Sequence, residues 1–410
     1  MDSDNYSSKN VKRIGVEVLE WKNIFEDLPS TIKREYFKKN SIPLITREVY
    51  FDVTSLYNLE GEVSGITRVI KSIRPCMEYI IDDLNYIIYN KKNKAFYEYN
   101  YNANTIHERV DILGNNNLLL TFTDSWNLGG YLKTLNHLLK GRSKLIILLY
   151  DCIPIVLPHS FGPGFVEIYT NWLKDIISYK ANILTISKSS KNDFLEYVHN
   201  EGLVPNSSIS VIRLGDLFET TEDQILYNEF SLDTPFIFSV GTVEFRKNHQ
   251  VILDAYRILL SEGKEELPKI VIAGKQGWMD NNISHQIHND PRLKDKVILF
   301  NNLRDEQVKF LYEECLFTMY PSIYEGWGLP VAESFACGKV CILSNVSSLP
   351  EIDSEVSIFC DPYDPYSWAE EIWKLVSDDK YLLSKENKII NYFTRQNWIN
   401  TASEIIKKLD

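Results

Sequence analysis

Histidine and cysteine are scarce in this chain, seven and six among 410 residues, and neither is arranged to hold a metal. Cys76, Cys152, Cys315, Cys337, Cys341 and Cys360 form no Cys-x-x-Cys pair. Their scatter through apolar stretches fits a reducing compartment better than a disulfide frame or a zinc ribbon. His285 and His288 would share a helical face, but no carboxylate or cysteine cluster accompanies them. Positive charge is also short: 44 Lys and Arg stand against 56 Asp and Glu, a net charge of −12. A nucleic-acid binder needs a basic footprint, so no nucleic-acid partner is expected. Long apolar runs are missing. The longest, Leu145–Pro158, is broken by Asp151 and Pro154 and falls short of the ~20 residues of a membrane span. The first residues lack the apolar core of a signal peptide. These absences predict a cytoplasmic protein. The basic end of a candidate helix, Thr31–Lys39, suits peripheral contact at the inner face of the membrane. A helix packed outside its domain accounts for it better.

What is present is an α/β alternation, run twice. The length suggests two domains of roughly 150–200 residues, and 44% apolar with 24% charged residues is globular. Strand Glu48–Val53 leads into a loop bearing Gly61 and Gly65, then a helix through Ile73. Apolar runs follow at Tyr86–Tyr89, Ala95–Tyr99 (a hairpin partner), Leu118–Phe122 and Leu145–Tyr150. The last has the continuous apolarity of a strand covered on both faces, and Asp151 stands just beyond it. Helix Val166–Lys180, strand Asn182–Ile186, Ser187 at a strand end suited to cap the next helix or touch an anion, and strand Ser208–Leu214 complete the first half. Polar residues Asp216–Thr234 read as a linker. Strand Phe236–Val240, helix Val251–Leu260 and strands Lys269–Ala273 and Lys296–Phe300 restart the alternation. Asp305 is expected to cap the next helix, and the tail Lys388–Leu409 to form one helix. Two doubly wound α/β domains facing a cleft are predicted. Their expected bounds are an extension 1–46, a first domain 47–217, a linker 218–235, a second domain 236–385 and a final helix 386–410.

The stretch Pro321–Glu333 carries the clearest chemistry. It sets Glu325 and Glu333 eight positions apart, with Gly326, Trp327, Gly328 and Leu329 between them and Pro330 at the expected helix start. A buried strand, a glycine loop and a helix start form a ligand-facing turn in a parallel sheet. The carboxylates suit sugar hydroxyls better than phosphate. Upstream, Arg246 and Lys247 precede a helix for which Asn248 is the expected cap. Two cations beside a helix N-terminus make a phosphate site. Gly241 and Asn301 stand at neighbouring strand ends. Phosphate, base, sugar and ribose together describe a nucleotide sugar.

These residues, read in order, resemble glycosyltransferase family 4, retaining enzymes of GT-B fold. The resemblance rests on Val240–His249, on Pro321–Glu333 with its E-x7-E spacing, and on Leu149–Pro154, Leu184–Ser190, Ile272–Lys275, Ser348–Glu351 and Asn397–Ala402, over roughly residues 48–410. It implies that Arg246 and Lys247 neutralise the leaving diphosphate. Glu325 would bind the donor sugar, the backbone of 326–329 would approach sugar and phosphate, and Glu333 would hold the ribose. Gly65 would lie over the diphosphate with Arg68 nearby, and Asp151 would face sugar and acceptor. The final helix would cross back onto the first domain. The partners implied are a nucleotide-sugar donor and a glycan or lipid-linked acceptor. No cofactor and no metal are expected, since the one Asp-x-Asp string is Asp2-Ser-Asp4. Many relatives carry His-Asp where Tyr150-Asp151 stands, a variant similar to bacterial mannosyl- and rhamnosyltransferases of surface polysaccharides. A hydrolase or epimerase of the same fold, and a non-catalytic partner protein, are the alternatives.

Overall fold

A computed structural model describes residues 45, 47–58, 64–141, 143–179, 181–205, 208–216, 232, 235–277 and 282–408. The expected helix Thr31–Lys39, the extension apart from Ile45, Gly61, and the expected linker apart from Leu232 and Pro235 lie outside the described residues.

The first sheet holds β1 (Val49–Asp52), β2 (Leu84–Asn90), β3 (Ala95–Asn100), β4 (Thr105–Val110), β5 (Leu118–Thr121), β6 (Lys144–Leu149), β7 (Ala181–Thr185) and β8 (Ser208–Val211). Their order is β4-β3-β2-β1-β5-β6-β7-β8. β2-β3 and β3-β4 pair antiparallel, and the remaining pairs are parallel. β1 and β5 are buried throughout, as strands covered by helices on both faces must be. β4 has no counterpart in the sequence reading. It is an exposed edge strand of mostly polar residues, so hydropathy gave no signal for it.

The second sheet holds β9 (Phe236–Val240), β10 (Lys269–Ala273), β11 (Val297–Phe300), β12 (Thr318–Tyr320), β13 (Cys341–Ser344) and β14 (Ile358–Cys360), all parallel. The order β11-β10-β9-β12-β13-β14 reverses direction between β9 and β12. The crevice beyond the carboxyl ends of those two strands is the topological switch point, where such sheets take their ligands. The loops following β9 and β12 carry Arg246-Lys247 and Pro321–Gly328.

Six helices matter for the site. They are α1 (Gly65–Ile80), α2 (Lys188–Asn200), α3 (His249–Ser261), α4 (Asp305–Glu314), α5 (Leu329–Ala336) and α6 (Trp398–Lys407). The expected single C-terminal helix is two, Asp379–Tyr392 and α6. Residues 393–397 break it because the chain turns there to reach the first domain, and Asn397 caps the new helix by accepting from Asn400 N. α6 packs on α1. Trp398, Ala402, Ile405 and Ile406 are buried and join the apolar core of the first sheet to that of the second. Burying each large side chain contributes roughly 1.5–3 kcal/mol, enough to hold the crossing helix down.

The crossing is also pinned by polar contacts. Gly215 lies against the Trp398 indole, where an added Cβ would approach to 2.6 Å. Asp216 N donates to Gln396 O at 2.9 Å, and Gln396 N donates back to Asp216 Oδ2 at 2.8 Å. Arg213 Nη2 reaches Thr394 O at 2.8 Å, and Thr401 Oγ1 donates to Arg213 O at 2.9 Å.

Candidate functional site

The loops after β9 and β12 are knitted together before any ligand is considered. Asn248 stands at the head of α3 with φ 54°, but its side chain does not cap the helix. Its Nδ2 instead donates to Pro321 O at 3.1 Å and Pro362 O at 2.7 Å, tying three loops. Ile323 N donates to Arg246 O at 2.8 Å, and Arg246 Nη1 to Tyr324 O at 2.9 Å. Local hydrogen bonding of the asparagine thus went to tertiary partners that spacing alone does not reveal.

Within this frame Arg246 and Lys247 converge on Glu325. Arg246 Nη1 lies 2.8 Å from Glu325 Oε2, and its Nη2 lies 2.9 Å from Glu244 Oε1. Lys247 Nζ lies 2.5 Å from Glu325 Oε1 and 2.7 Å from the Tyr320 hydroxyl, which itself donates to Glu325 Oε1 at 2.9 Å. Burial pushes the Glu325 carboxyl up, but Arg246 and Lys247 outweigh it and hold the group at about 2. Burial also pulls the Lys247 ammonium down, against the pull of Glu325. Burial and the neighbouring Lys247 lower His249 to about 4, so that imidazole is neutral near pH 7. Two cations and the carboxylates of Glu244 and Glu325 form one partly desolvated cluster, in which each charge depends on the others.

Glu333 is the fifth residue of α5 and is buried. Leu329, not Pro330, opens that helix, after Gly328 at φ 113°. A Cβ on Gly328 would come within 2.6 Å of Leu349 Cδ2, so the turn requires glycine twice over. Glu333 Oε2 accepts from the Tyr312 hydroxyl at 3.2 Å, and Oε1 pairs with Arg68 Nη1. Arg68 Nη2 lies 2.9 Å from Asp305 Oδ1. Asp305 is therefore not a cap: it is the first residue of α4, after Arg304, and its carboxylate turns to the other domain.

Across the cleft, Gly65 opens α1 behind Ser64, whose Oγ accepts from Thr67 N at 3.2 Å. A Cβ on Gly65 would meet nothing within 4 Å. Asp151 Oδ1 accepts from Ile153 N at 3.0 Å, and burial raises its carboxyl against the pull of that N–H and of Arg246. Gly326 touches it closely: a Cβ there would lie 2.9 Å from Asp151 Cβ and 2.6 Å from Tyr150 O. Tyr150 does not face the cleft. Its buried hydroxyl donates to Phe122 O at 2.8 Å. Trp327 is buried, and its main-chain oxygen accepts from Ser348 Oγ at 2.8 Å. Gly241 closes β9 at φ 152° and packs on Gly274. Asn301 stands apart, exposed beyond the edge strand β11.

Four cross-cleft contacts were not singled out in the sequence. Tyr324 donates to both Asp193 carboxylate oxygens at 2.8 Å. Glu351 accepts from Lys188 N at 2.8 Å and Ser189 N at 2.7 Å, capping α2 from the opposite domain. Ser190 Oγ lies within hydrogen-bonding reach of Tyr150 O (3.0 Å) and Gly326 O (3.2 Å). The fourth is Arg68 to Glu333. The Ser348–Glu351 string and the serines after β7 were visible, but their pairing requires the closed fold. Among the described residues no three His, Cys, Asp or Glu side chains are grouped to share a metal ion, and no helix is long and apolar enough to cross a membrane.

Two doubly wound domains closed on a switch-point crevice, with a C-terminal helix returning to the first, define the GT-B architecture of glycosyltransferases. A solved neighbour, Anabaena Alr3699/HepE in complex with UDP and glucose, covers 88% of this chain and 99% of its own, with TM-score 0.62 and 14% identity. A trehalose-6-phosphate synthase structure aligns over 72% of this chain and 74% of its own, with TM-score 0.56 and 14% identity. Residues 222–396 match the family Glycosyl transferases group 1. Serotype-specific mannosyltransferase WbdA of Escherichia coli is 26% identical over 264 residues, 63% of this chain and 32% of that protein. O-antigen chain mannosyltransferase B of Escherichia coli is 29% identical over 167 residues, 41% of this chain and 43% of that protein. The matched part thus spans about a third of the first relative's length and under half of the second's.

Proposed function

We propose that this glycosyltransferase moves a hexose from a nucleotide-diphosphate sugar to a glycan or lipid-linked acceptor of a surface polysaccharide, with retention at the anomeric carbon. The donor is GDP- or UDP-linked, with a mannose-type sugar favoured by the names of the similar bacterial enzymes. The observation that carries the reading is the convergence of Arg246 and Lys247 on Glu325 at the switch point, one helix start away from Glu333.

The chemistry requires the C1–O bond to the diphosphate to break while the acceptor oxygen bonds to C1 on the same face. Negative charge grows on the departing phosphate oxygen, and the acceptor proton passes to it. Arg246 and Lys247 serve that charge. Preorganised donors in a desolvated site contribute roughly 3–4 kcal/mol each, about 10²–10³ in rate. Glu325 orients the sugar and the two cations, Glu333 holds the ribose, and Gly65 leaves room for the diphosphate. Asp151 faces sugar and acceptor from the first domain. No carboxylate serves as nucleophile, and no metal ion is needed.

The test is incubation with a panel of UDP- and GDP-sugars plus acceptor extracts, reading released nucleotide and the anomeric configuration of the product. Release from one GDP- or UDP-hexose, undiminished by EDTA, is expected. A strict Mg²⁺ or Mn²⁺ requirement, or an inverted product, would overturn the mechanism. Absence of stabilisation by UDP, GDP or any of their sugars would overturn the donor assignment.

A further inference from the structure

Glu333 belongs to the second domain, yet the group that fixes it comes from the first. Arg68, the fourth residue of α1, pairs with Glu333 Oε1 through Nη1 and with Asp305 Oδ1 through Nη2. Tyr312 donates to the other oxygen, Oε2, at 3.2 Å. The guanidinium fork therefore spans two carboxylates from two elements of the second domain. Asp305 is partly exposed, with side-chain exposure of 25%, whereas that of Glu333 is 5%. A carboxylate that deep needs a charged or hydrogen-bonding partner to stay ionised, and among the described residues Arg68 is the cation that reaches it.

The two contacts do not use up the acceptor capacity of the carboxylate. A carboxylate offers about four lone-pair directions, two on each oxygen. Among the described residues Arg68 takes one on Oε1 and Tyr312 takes one on Oε2, which leaves one acceptor direction on each. Two neighbouring hydroxyls on one ring match that pair, and a vicinal diol is the chemical feature a ribose presents.

We propose that Arg68 is a positioning residue for the donor: it holds and orients the Glu333 carboxylate, so the ribose-diol subsite is complete only when the two domains are together. The inference rests on the reading of Glu333 as the ribose-holding carboxylate. It replaces the diphosphate as Arg68's target, and it makes donor recognition a property of the closed pair of domains. α1 then has two duties one turn apart. Gly65 keeps its first residue bare, and Arg68 builds the neighbouring subsite.

The groups facing Glu333 are Arg68 on α1, Tyr312 and Asp305 on α4, and Cys337 just past the end of its own helix. Burial raises the Glu333 carboxyl, Arg68 and Tyr312 pull it down, and Asp305 pushes it up. Without Arg68 the strongest downward pull is lost, so Glu333 takes up its proton at higher pH. A protonated carboxyl is a poorer acceptor for two hydroxyls. Diol recognition in an Arg68→Ala protein should therefore weaken as pH falls, which a merely structural role would not produce.

The experiment is calorimetric titration of the full chain with UDP, GDP and their 2′,3′-dideoxy counterparts at pH 6 and pH 8. Wild type should prefer the ribonucleotide at least about tenfold at both pH values. Arg68→Ala should fall to within about threefold, with the residue of preference shrinking further at pH 6, and Arg68→Lys should recover part of it. Should Arg68→Ala fail to fold, Asp305→Ala removes the second anchor and should lower the preference in the same direction. A wild-type preference in Arg68→Ala at both pH values would overturn the inference. Wild-type indifference to the diol would overturn it too, while leaving the transferase reading standing. No binding of either nucleotide by wild type would overturn that reading first.

Discussion

Gly326→Ala tests whether the cleft works only in the close geometry described. The added methyl would lie 2.6 Å from Tyr150 O, 2.9 Å from Asp151 Cβ and 3.3 Å from Asp151 Oδ2. Carbon contacts are comfortable from about 3.5 Å, so the two loops must part by roughly 0.6–0.9 Å. Nothing inside the second domain absorbs this, because the obstructing atoms are backbone and Cβ of the other domain. The separation also stretches the approach of Ser190 Oγ to Gly326 O, whereas its bond to Tyr150 O lies within the first domain. Gly326 is not in the left-handed region, so alanine adds no backbone strain. A displacement near 1 Å costs on the order of 10² in rate when reacting groups are held in place. Steady-state turnover should fall about 10–100-fold, while the melting temperature moves by no more than about 2 °C, under 1 kcal/mol for a chain this long. Gly129→Ala, where a Cβ meets nothing within 4 Å, should leave turnover unchanged. Turnover within twofold of wild type for Gly326→Ala would refute the reasoning, because the contact would then have no bearing on the reactive geometry.

Three other outcomes are expected. Arg246→Ala should lower turnover at least about tenfold without unfolding the chain, since Lys247 and Tyr320 still hold Glu325; a near-normal rate would remove Arg246 from the phosphate site. Tyr150→Phe should cost about 1 kcal/mol of stability through the lost bond to Phe122 O, with turnover within threefold, and a collapse in turnover would place the hydroxyl at the substrate. Burial raises Asp216 from 3.8 to about 7, against the pull of Gln396 N–H and Arg213. The folded chain therefore binds that proton more tightly than the unfolded chain. Its contribution is full below about pH 3.8 and lost once pH passes about 7. The melting temperature of Asp216→Asn relative to wild type should climb across that window, and parallel curves would rule the assignment out.

The alternation of strands and helices was legible because apolar runs such as Leu145–Leu149 and Phe236–Val240 are buried on both faces and carry no competing pattern. β4 was not, because an exposed polar edge strand looks like loop. The cluster at Glu325 was legible in part: Arg246, Lys247 and the glutamate are flagged by their place at strand ends. Their convergence was not, since it depends on Asn248 reaching Pro321 and Pro362 instead of capping its helix. Asp305 shows the same limit. Its position at a helix start predicts a local bond, but an arginine of the other domain offers a stronger, charged partner. The direction of Tyr150 was not legible at all, because strand alternation decides it and a single position of register reverses it; the structure turns its hydroxyl inward to Phe122 O.

The crossing at Trp398 has a mechanical consequence. The passage at 393–397 is bonded to the end of the first domain through Asp216, Gln396, Arg213 and Thr394. A single tether would let one body tumble about the other. Bonding this passage to the end of the first domain restricts such tumbling. Any full opening of the cleft parts Glu351 from α2 and Arg68 from Glu333 alike, so a helix cap and a buried ion pair are lost together.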